Sequence, residues 1–232
     1  MCIRDRLWSD APVSHIVVTP PVPSFPLNPD KADWSVWDFP DVVDHWNFPG
    51  YEGKKMTVSV YSNCEQVELF LNGESLGKQE NTADKKNTLV WEVPYAHGIL
   101  KAVSYNKGGE VGTATLESAG KVEKIRLSAD RTEIVADGND LSYITLELVD
   151  SKGIRNQLAE ELVEFSIEGD ATIEGVGNAN PMSIESFVAN SRKTWRGSNL
   201  LVVRSGKSSG RIIVTAKVKA LPVASITITQ KK

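Results

Sequence analysis

The segment VELFLNGESLG constrains the fold of this chain more than any other part of it. Val67, Leu69 and Leu71 lie on one face of an extended chain, and the residues between them lie on the other. Asn72-Gly73 follows, a dipeptide that suits a two-residue hairpin because both turn residues take positive φ. The segment therefore predicts an antiparallel hairpin with one buried face.

Short alternating segments separated by turn-forming residues continue along the rest of the chain, and no window has a helical period. In the first half we predict strands at Met56–Tyr61, Gln66–Leu71, Glu74–Gly77, Thr88–Val93, Ile99–Tyr105 and Val111–Leu116. In the second half we predict Lys124–Ala129, Glu133–Val135, Ser142–Val149, Leu162–Glu168, Ala171–Gly175, Phe187–Ala189, Leu200–Arg204, Gly210–Val218 and Ala224–Thr229. Strands of this length and spacing indicate an all-β protein with two consecutive immunoglobulin-like β-sandwich domains.

The N-terminal part differs in composition from the two predicted sandwiches. Residues 1–50 contain eight of the 11 prolines and four of the six tryptophans. Proline fixes φ and removes a backbone donor, so residues 1–53 are predicted to include an extended Pro/Trp-rich connector. A solvated linker has no use for so many aromatic rings, so we predict that four tryptophans pack at a domain interface: Trp8, Trp34, Trp37 and Trp46. The first sandwich is then expected at 54–119 and the second at 120–232, with Ser118-Ala119-Gly120 as a small, flexible boundary.

Charge and hydropathy exclude several classes of protein. The net charge is −4, the isoelectric point is about 5.5 and basic residues form no cluster, so nucleic acid is not an expected partner. No apolar run approaches the roughly 18 residues of a membrane span. The sequence contains only two cysteines, too few for a disulfide scaffold.

Motifs that carry chemistry are missing from the sequence. His15, His45 and His97 are far apart in sequence, and neither a zinc-binding spacing nor a phosphate-binding glycine loop is present. The glutamates of the predicted strands fall on polar positions, as expected of a solvated strand face. We therefore assign no catalytic residue, no metal and no cofactor.

Trp195 is the one aromatic residue for which a ligand role is considered. It lies in the polar segment SRKTWRGSN, where no pattern requires burial. An exposed indole stacks well on the apolar face of a sugar ring. Two interpretations remain open for Trp195: structural packing, and contact with carbohydrate.

Several longer motifs together resemble the C-terminal part of family 2 glycoside hydrolases, and most of all the β-galactosidases of the Bacteroidetes. The resemblance extends over nearly everything after Leu7. It rests on motifs at Leu7–Asp10, His45–Lys54, Val58–Gly77, Trp91–Tyr105, Ala129–Tyr143, Gly175–Pro181 and Glu185–Gly197.

The resemblance implies a modular enzyme in which β-sandwich domains follow a catalytic (β/α)₈ barrel. It also implies retaining hydrolysis of a β-galactoside by two glutamates of that barrel, and this chain has no counterpart of the barrel motifs. Residues 1–53 would begin with the segment that leaves the barrel. The implied partners are the missing barrel, a galactoside-containing polysaccharide and a second copy in a homodimer, and the implied location is periplasmic or extracellular.

The first residues, MCIRDR, read like translated sequencing adaptor rather than a natural start, so we expect the chain to be a C-terminal fragment. Three functions are then considered. The favoured one is structural support of a β-galactosidase barrel, without catalysis by this chain alone. The alternatives are a carbohydrate-binding module and an adhesin-like surface tandem of bacterial immunoglobulin-like domains.

Overall fold

The computed structural model describes Trp8, residues 10–24 and residues 40–232. The chain forms two compact units, and the boundary between them lies between Ser118 and Ala119. Nearly all regular structure of these residues is β, apart from a short 3-10 helix at Ala83–Lys85. The predicted all-β sandwich fold is confirmed. Among these described residues, no helix is both long and apolar enough to cross a membrane.

The first unit is formed by two antiparallel sheets. One has the order β1-β2-β5 and the other β4-β3-β6-β7. The strands are β1 (Ser14–Val18), β2 (Lys55–Ser62), β3 (Gln66–Leu71), β4 (Glu74–Glu80), β5 (Thr88–Pro94), β6 (Ile99–Asn106) and β7 (Gly109–Glu117).

The predicted hairpin forms as its sequence pattern requires. Asn72 and Gly73 both take positive φ, +52° and +89°, between β3 and β4. Val67 and Leu69 are fully buried in the core of the first unit, and Leu71 packs against it. The turn is also fixed to β6, because the Asn72 Oδ1 accepts the backbone N–H of Ile99 at 2.8 Å.

Part of the predicted connector belongs to the first sandwich. Strand β1 pairs antiparallel with β2, and its Ile16 and Val18 lie in the core of this unit. Val18 also forms an isolated bridge with Val43. The apolar run HIVV does not alternate and is flanked by prolines, which is why its strand character was not predicted from the sequence.

The second unit also has two sheets, with orders β12-β14-β10-β8 and β13-β11-β15-β16-β9. All neighbours are antiparallel except β16 and β9, which run parallel. The strands are β8 (Lys124–Ala129), β9 (Glu133–Val135), β10 (Leu141–Val149), β11 (Leu162–Glu168), β12 (Ala171–Gly177), β13 (Ser191–Lys193), β14 (Ser198–Ser205), β15 (Gly210–Val218) and β16 (Ala224–Lys231).

One predicted strand of the second unit is wrong. Phe187–Ala189 lies in turns, and the strand comes later, at Ser191–Lys193. Phe187 and Val188 are both exposed, so they lack the alternation of a half-buried strand. Residues 178–190, which we call the edge loop, connect β12 to β13, the edge strands of the two sheets.

Candidate functional site

Trp46 lies at the centre of an aromatic cluster inside the first unit. Its side chain is fully buried, and its ring meets those of Tyr95 and Phe48 edge to face, at centroid distances of 5.0 and 6.0 Å. The indole Nε1 donates to the Ala96 carbonyl at 2.8 Å, and the Tyr95 hydroxyl accepts the Phe48 backbone N–H. Trp46 was predicted to pack at a domain interface. It is instead a core residue of the first unit, because the buried side chain already has its packing and hydrogen-bond partners within that unit.

The other three tryptophans of the N-terminal segment are placed differently. Trp8 is exposed over 82% of its surface. Trp34 and Trp37 lie outside the residues that the structure describes. An interface role for these three tryptophans stays a prediction.

Trp195 directly precedes a tight turn between β13 and β14. Arg196 and Gly197 both take positive φ, and the backbones of Trp195 and Ser198 exchange two hydrogen bonds of 3.1 Å. Glycine is required at position 197, because a Cβ there would lie 2.2 Å from the carbonyl oxygen of Asn156. The indole is partly buried, and the Arg196 guanidinium lies 4.6 Å from its ring centroid. Part of the surface that a sugar would stack on is therefore already occupied.

Arg192, three residues before Trp195 in the chain, is a fully buried cation that anchors the edge loop. One guanidinium nitrogen donates to the carbonyl oxygens of Val176 and Glu185, at 3.2 and 3.1 Å. The other donates to the Ser183 hydroxyl at 3.1 Å. The guanidinium carbon also lies 4.2 Å from the ring centroid of Phe187. A buried charge is tolerated only when it is hydrogen-bonded, so this conformation of the loop and the burial of Arg192 depend on each other.

The polar side chains of the edge loop bond inward, to the loop itself and to β13. Asn178 donates to the Lys193 carbonyl at 2.9 Å and accepts the backbone N–H of Asn180. The side chain of Asn180 in turn accepts the backbone N–H of Met182 at 2.9 Å. Asparagine favours such turns because its side chain imitates a backbone acceptor. The loop is thus fixed by its own polar residues.

Glu185 adds a charged contact to the same network. Its carboxylate accepts the backbone N–H of Lys193 at 3.1 Å and the hydroxyl of Ser183 at 3.0 Å. The Lys193 N–H holds the pKa of Glu185 below its ordinary value, and the Ser183 hydroxyl and the Arg192 charge lower it further. Partial burial alone would raise this pKa. Glu185 is therefore a stable anion that orders the loop.

Asp150 has a similar structural role at a turn of the second unit. Burial alone would raise its pKa, but backbone N–H groups lower it below the ordinary value. The donors are Gly120 at 2.7 Å, Ile154 at 2.9 Å and Lys152 at 3.0 Å.

In the described part of the chain, every carboxyl group with a displaced pKa has it lowered. A glycosidase's general acid needs a raised pKa, which none of these groups has. Over the same residues, no three His, Cys, Asp or Glu side chains gather to hold a metal ion.

Sequence reasoning missed both the buried Arg192 and the edge loop. Nothing marks Arg192 as buried, since its neighbours Ser191 and Lys193 are polar. The loop carried a usable signal, because GNANP packs turn-forming residues closely ahead of four large apolar residues. Each of the two units matches a known protein family.

Residues 125–227 match the family described as glycoside hydrolase family 2 C-terminal domain 5. Residues 53–112 match a family described as a domain of unknown function. The two matches fall in different compact units.

Two curated relatives and a solved structure extend these matches over most of the chain. A β-galactosidase of Bacteroides ovatus is 32% identical over 203 residues, which cover 87% of this chain and 24% of that enzyme. A β-glucuronidase of Formosa agariphila is 30% identical over 205 residues, covering 85% of this chain and 20% of that enzyme. The crystal structure of a glycosyl hydrolase family 2 member from Bacteroides cellulosilyticus superposes with a TM-score of 0.97 at 98% identity, covering 99% of this chain and 30% of that one.

This chain thus spans about a quarter of the length of the curated relatives that it matches. The family that matches the second unit is a C-terminal domain of glycoside hydrolase family 2, and the superposed crystal structure is of a member of that family. The chain belongs to glycoside hydrolase family 2 and comprises C-terminal accessory domains of an enzyme of that family.

Proposed function

We propose that these two units support the catalytic domain of a longer enzyme that hydrolyses β-galactosides. The observation that carries the proposal is the 32% identity to a β-galactosidase over 87% of this chain. Among the described residues, carboxylates such as Glu185 and Asp150 accept hydrogen bonds from the backbone of the sandwich, which suits a structural use of these side chains.

The substrate is the part of this proposal that most needs a test, since a β-glucuronidase is similar at 30% identity. Purified full-length protein and the 232-residue chain are assayed side by side with chromogenic β-galactoside and β-glucuronide. We expect turnover of the galactoside by the full-length protein and no turnover by the chain alone. Turnover of the glucuronide alone would show that the substrate is a β-glucuronide and not a β-galactoside. Turnover by the 232-residue chain would overturn the accessory role.

A second candidate function is carbohydrate binding at Trp195. The observation that favours it is the partly exposed indole, which directly precedes a tight turn. In affinity electrophoresis on a galactan gel, the chain should be retarded and Trp195→Ala should migrate freely. Trp91→Phe is the control, because Trp91 is buried in the core of the first unit. Equal migration of the chain and Trp195→Ala would remove this function.

A further inference from the structure

The edge loop reverses the usual distribution of polar and apolar side chains. Its outward surface, which we call the apolar face, carries large side chains that are exposed over 76%, 100%, 62% and 80% of their areas: Met182, Ile184, Phe187 and Val188. Scattered exposed apolar residues are ordinary, but four of them within residues 182–188 of one loop indicate an interaction surface. Within the same loop, Asn178 is buried and Ser183 and Glu185 are partly buried.

The loop is held in place firmly enough to present a defined surface. Its C-terminal part is bonded to a strand of each sheet, because Val176 of β12 donates to the Phe187 carbonyl and Phe165 of β11 donates to the Asn190 carbonyl, each at 2.8 Å. A Cβ at Gly175 would lie 3.2 Å from the Phe187 carbonyl oxygen, so the loop lies directly on β12. Preorganisation of this kind lowers the entropy cost of binding.

Covering the sheet edges does not explain the outward side chains. A loop that only protected two edge strands would need its backbone bonds and a polar outer surface. The network of Arg192, Glu185 and Asn178 already supplies the internal order. Apart from the contact of Phe187 with Arg192, the four apolar side chains contribute little to that order, so their exposure calls for a partner.

The chemistry of the apolar face fits a protein better than a sugar. A sugar site needs flat aromatic faces with polar groups around them, whereas Met182, Ile184 and Val188 offer aliphatic surface without donors or acceptors. One face of the only aromatic ring, Phe187, is occupied by the Arg192 guanidinium. The partner is therefore expected to present a complementary apolar protein surface.

We propose that the apolar face docks on the catalytic domain of the same polypeptide, a proposal that rests on the accessory role proposed above. The 98%-identical crystal structure has a chain of which this one covers only 30%, so most of the longer protein lies outside the present chain. A tethered surface competes at an effective concentration in the millimolar range, about a thousandfold above a second copy at micromolar concentration. The same polypeptide is thus the favoured occupant.

Methionine oxidation tests this docking without reference to catalysis. Met182 is exposed in the apolar face, and Met56, 3% exposed in the core of the first unit, is an internal reference in the same molecule. Dilute hydrogen peroxide is added to the 232-residue chain and to the full-length protein, and sulfoxide is followed by peptide mass spectrometry. Oxidation follows exposure, so we expect Met182 to react about tenfold more slowly in the full-length protein.

Other outcomes would overturn the proposal. An equal Met182 rate in both proteins would show that the longer chain leaves the surface open. If Met182 in the 232-residue chain becomes more protected from oxidation as the chain concentration rises, the apolar face binds a second copy. If added galactan protects Met182, the face binds carbohydrate. Because the rate is read without substrate turnover, a failed galactosidase assay and a failed docking test remain distinguishable.

A matched pair of substitutions locates the contact. Ile184→Asp places a charge in the apolar face, whereas Val223→Asp places one at another exposed apolar position of the same unit, 57% exposed. In the full-length protein, Ile184→Asp should restore the fast oxidation of Met182, and Val223→Asp should leave it slow. If Ile184→Asp leaves Met182 protected, the apolar face is not the contact and the proposal fails.

Discussion

The Trp46 cluster in the first unit and the edge loop in the second distribute polar and apolar groups in opposite ways. Around Trp46, aromatic rings fill the interior and their polar atoms are satisfied there, as in the bond from its Nε1 to Ala96. At the edge loop, the cation Arg192 of β13 and the carboxylate Glu185 order the inner side, and the large apolar side chains are exposed. The aromatic side chains around Trp46 are buried within the chain, whereas the large apolar side chains of the edge loop stay exposed to solvent.

The difference separates what stabilises this chain from what it offers to a partner. Substitutions inside the Trp46 cluster should reduce the stability of the first unit. Substitutions on the apolar face should leave the second unit unchanged while altering its interactions. Four substitutions test that separation, taken in order of decreasing effect.

Replacement of Trp46 should have the largest effect. Trp46→Ala removes a fully buried ring that packs on Tyr95 and Phe48, so we expect a loss of about 3–5 kcal/mol in the free energy of unfolding of the first unit. Urea denaturation followed by circular dichroism measures it. Trp195→Ala is the control, because its indole is only partly buried, and an equal loss in both variants would contradict the assignment of Trp46 to the core.

Replacement of Arg192 should have a smaller effect that is localised to the edge loop. Arg192→Met leaves the Val176 and Glu185 carbonyls and the Ser183 hydroxyl without their donor, which should destabilise the second unit by about 1–3 kcal/mol. Hydrogen exchange should increase across residues 178–190 and remain unchanged in the first unit. Arg211→Met, at an exposed position of β15, should behave like the unaltered chain. Unchanged exchange in the edge loop would refute the anchoring role.

Asp150 supplies a pH-dependent test of the same kind of inward polar contact. Its pKa in the folded chain lies below the ordinary value of 3.8, so ionisation stabilises the fold above that value, and the contribution is lost as the pH falls through the folded pKa. Asp150→Asn should lower the melting temperature at neutral pH, and the gap to the unaltered chain should close in acid. Thermal unfolding between about pH 7 and pH 2 measures this. Glu160→Gln, at an exposed position of the same unit, is the control.

Replacement of Ile184 should have the smallest effect. Its side chain is fully exposed, so Ile184→Ser should change the unfolding free energy of the 232-residue chain by less than about 0.5 kcal/mol. Thermal unfolding of the chain and the variant measures this difference. A clear loss of stability would show that the apolar face contributes to the fold, and the contrast with the Trp46 cluster would disappear.

Local sequence patterns predicted the fold where each residue's environment repeats along the strand. The hairpin of β3 and β4 follows from alternation and Asn72-Gly73, and both are visible in the sequence. Strand β1 was missed because its apolar run does not alternate and adjoins the proline-rich segment. Trp46 was misplaced for a related reason, since its partners Tyr95 and Ala96 are about fifty residues away in the chain and no local pattern connects them.

The edge loop was hidden by the same limit on local patterns. The sequence of Phe187–Ala189 is typical of a short strand. Only the tertiary structure shows that these residues lie in turns beside the edge strand β12. Arg192 looks like any surface arginine until the carbonyls of Val176 and Glu185 are brought to it.

The parallel pairing of β9 and β16 imposes an order of events on folding. Lys231 on the last strand of the unit forms an ion pair with Glu133, 98 residues earlier. β16 also pairs with β15, so this five-stranded sheet cannot close until its final strand is available. During synthesis, β9 therefore stays unpaired until nearly the whole unit has emerged from the ribosome. Pairing of strands that are so far apart in sequence is slow. We expect the second unit to depend on chaperones that keep this unpaired strand from pairing with another chain.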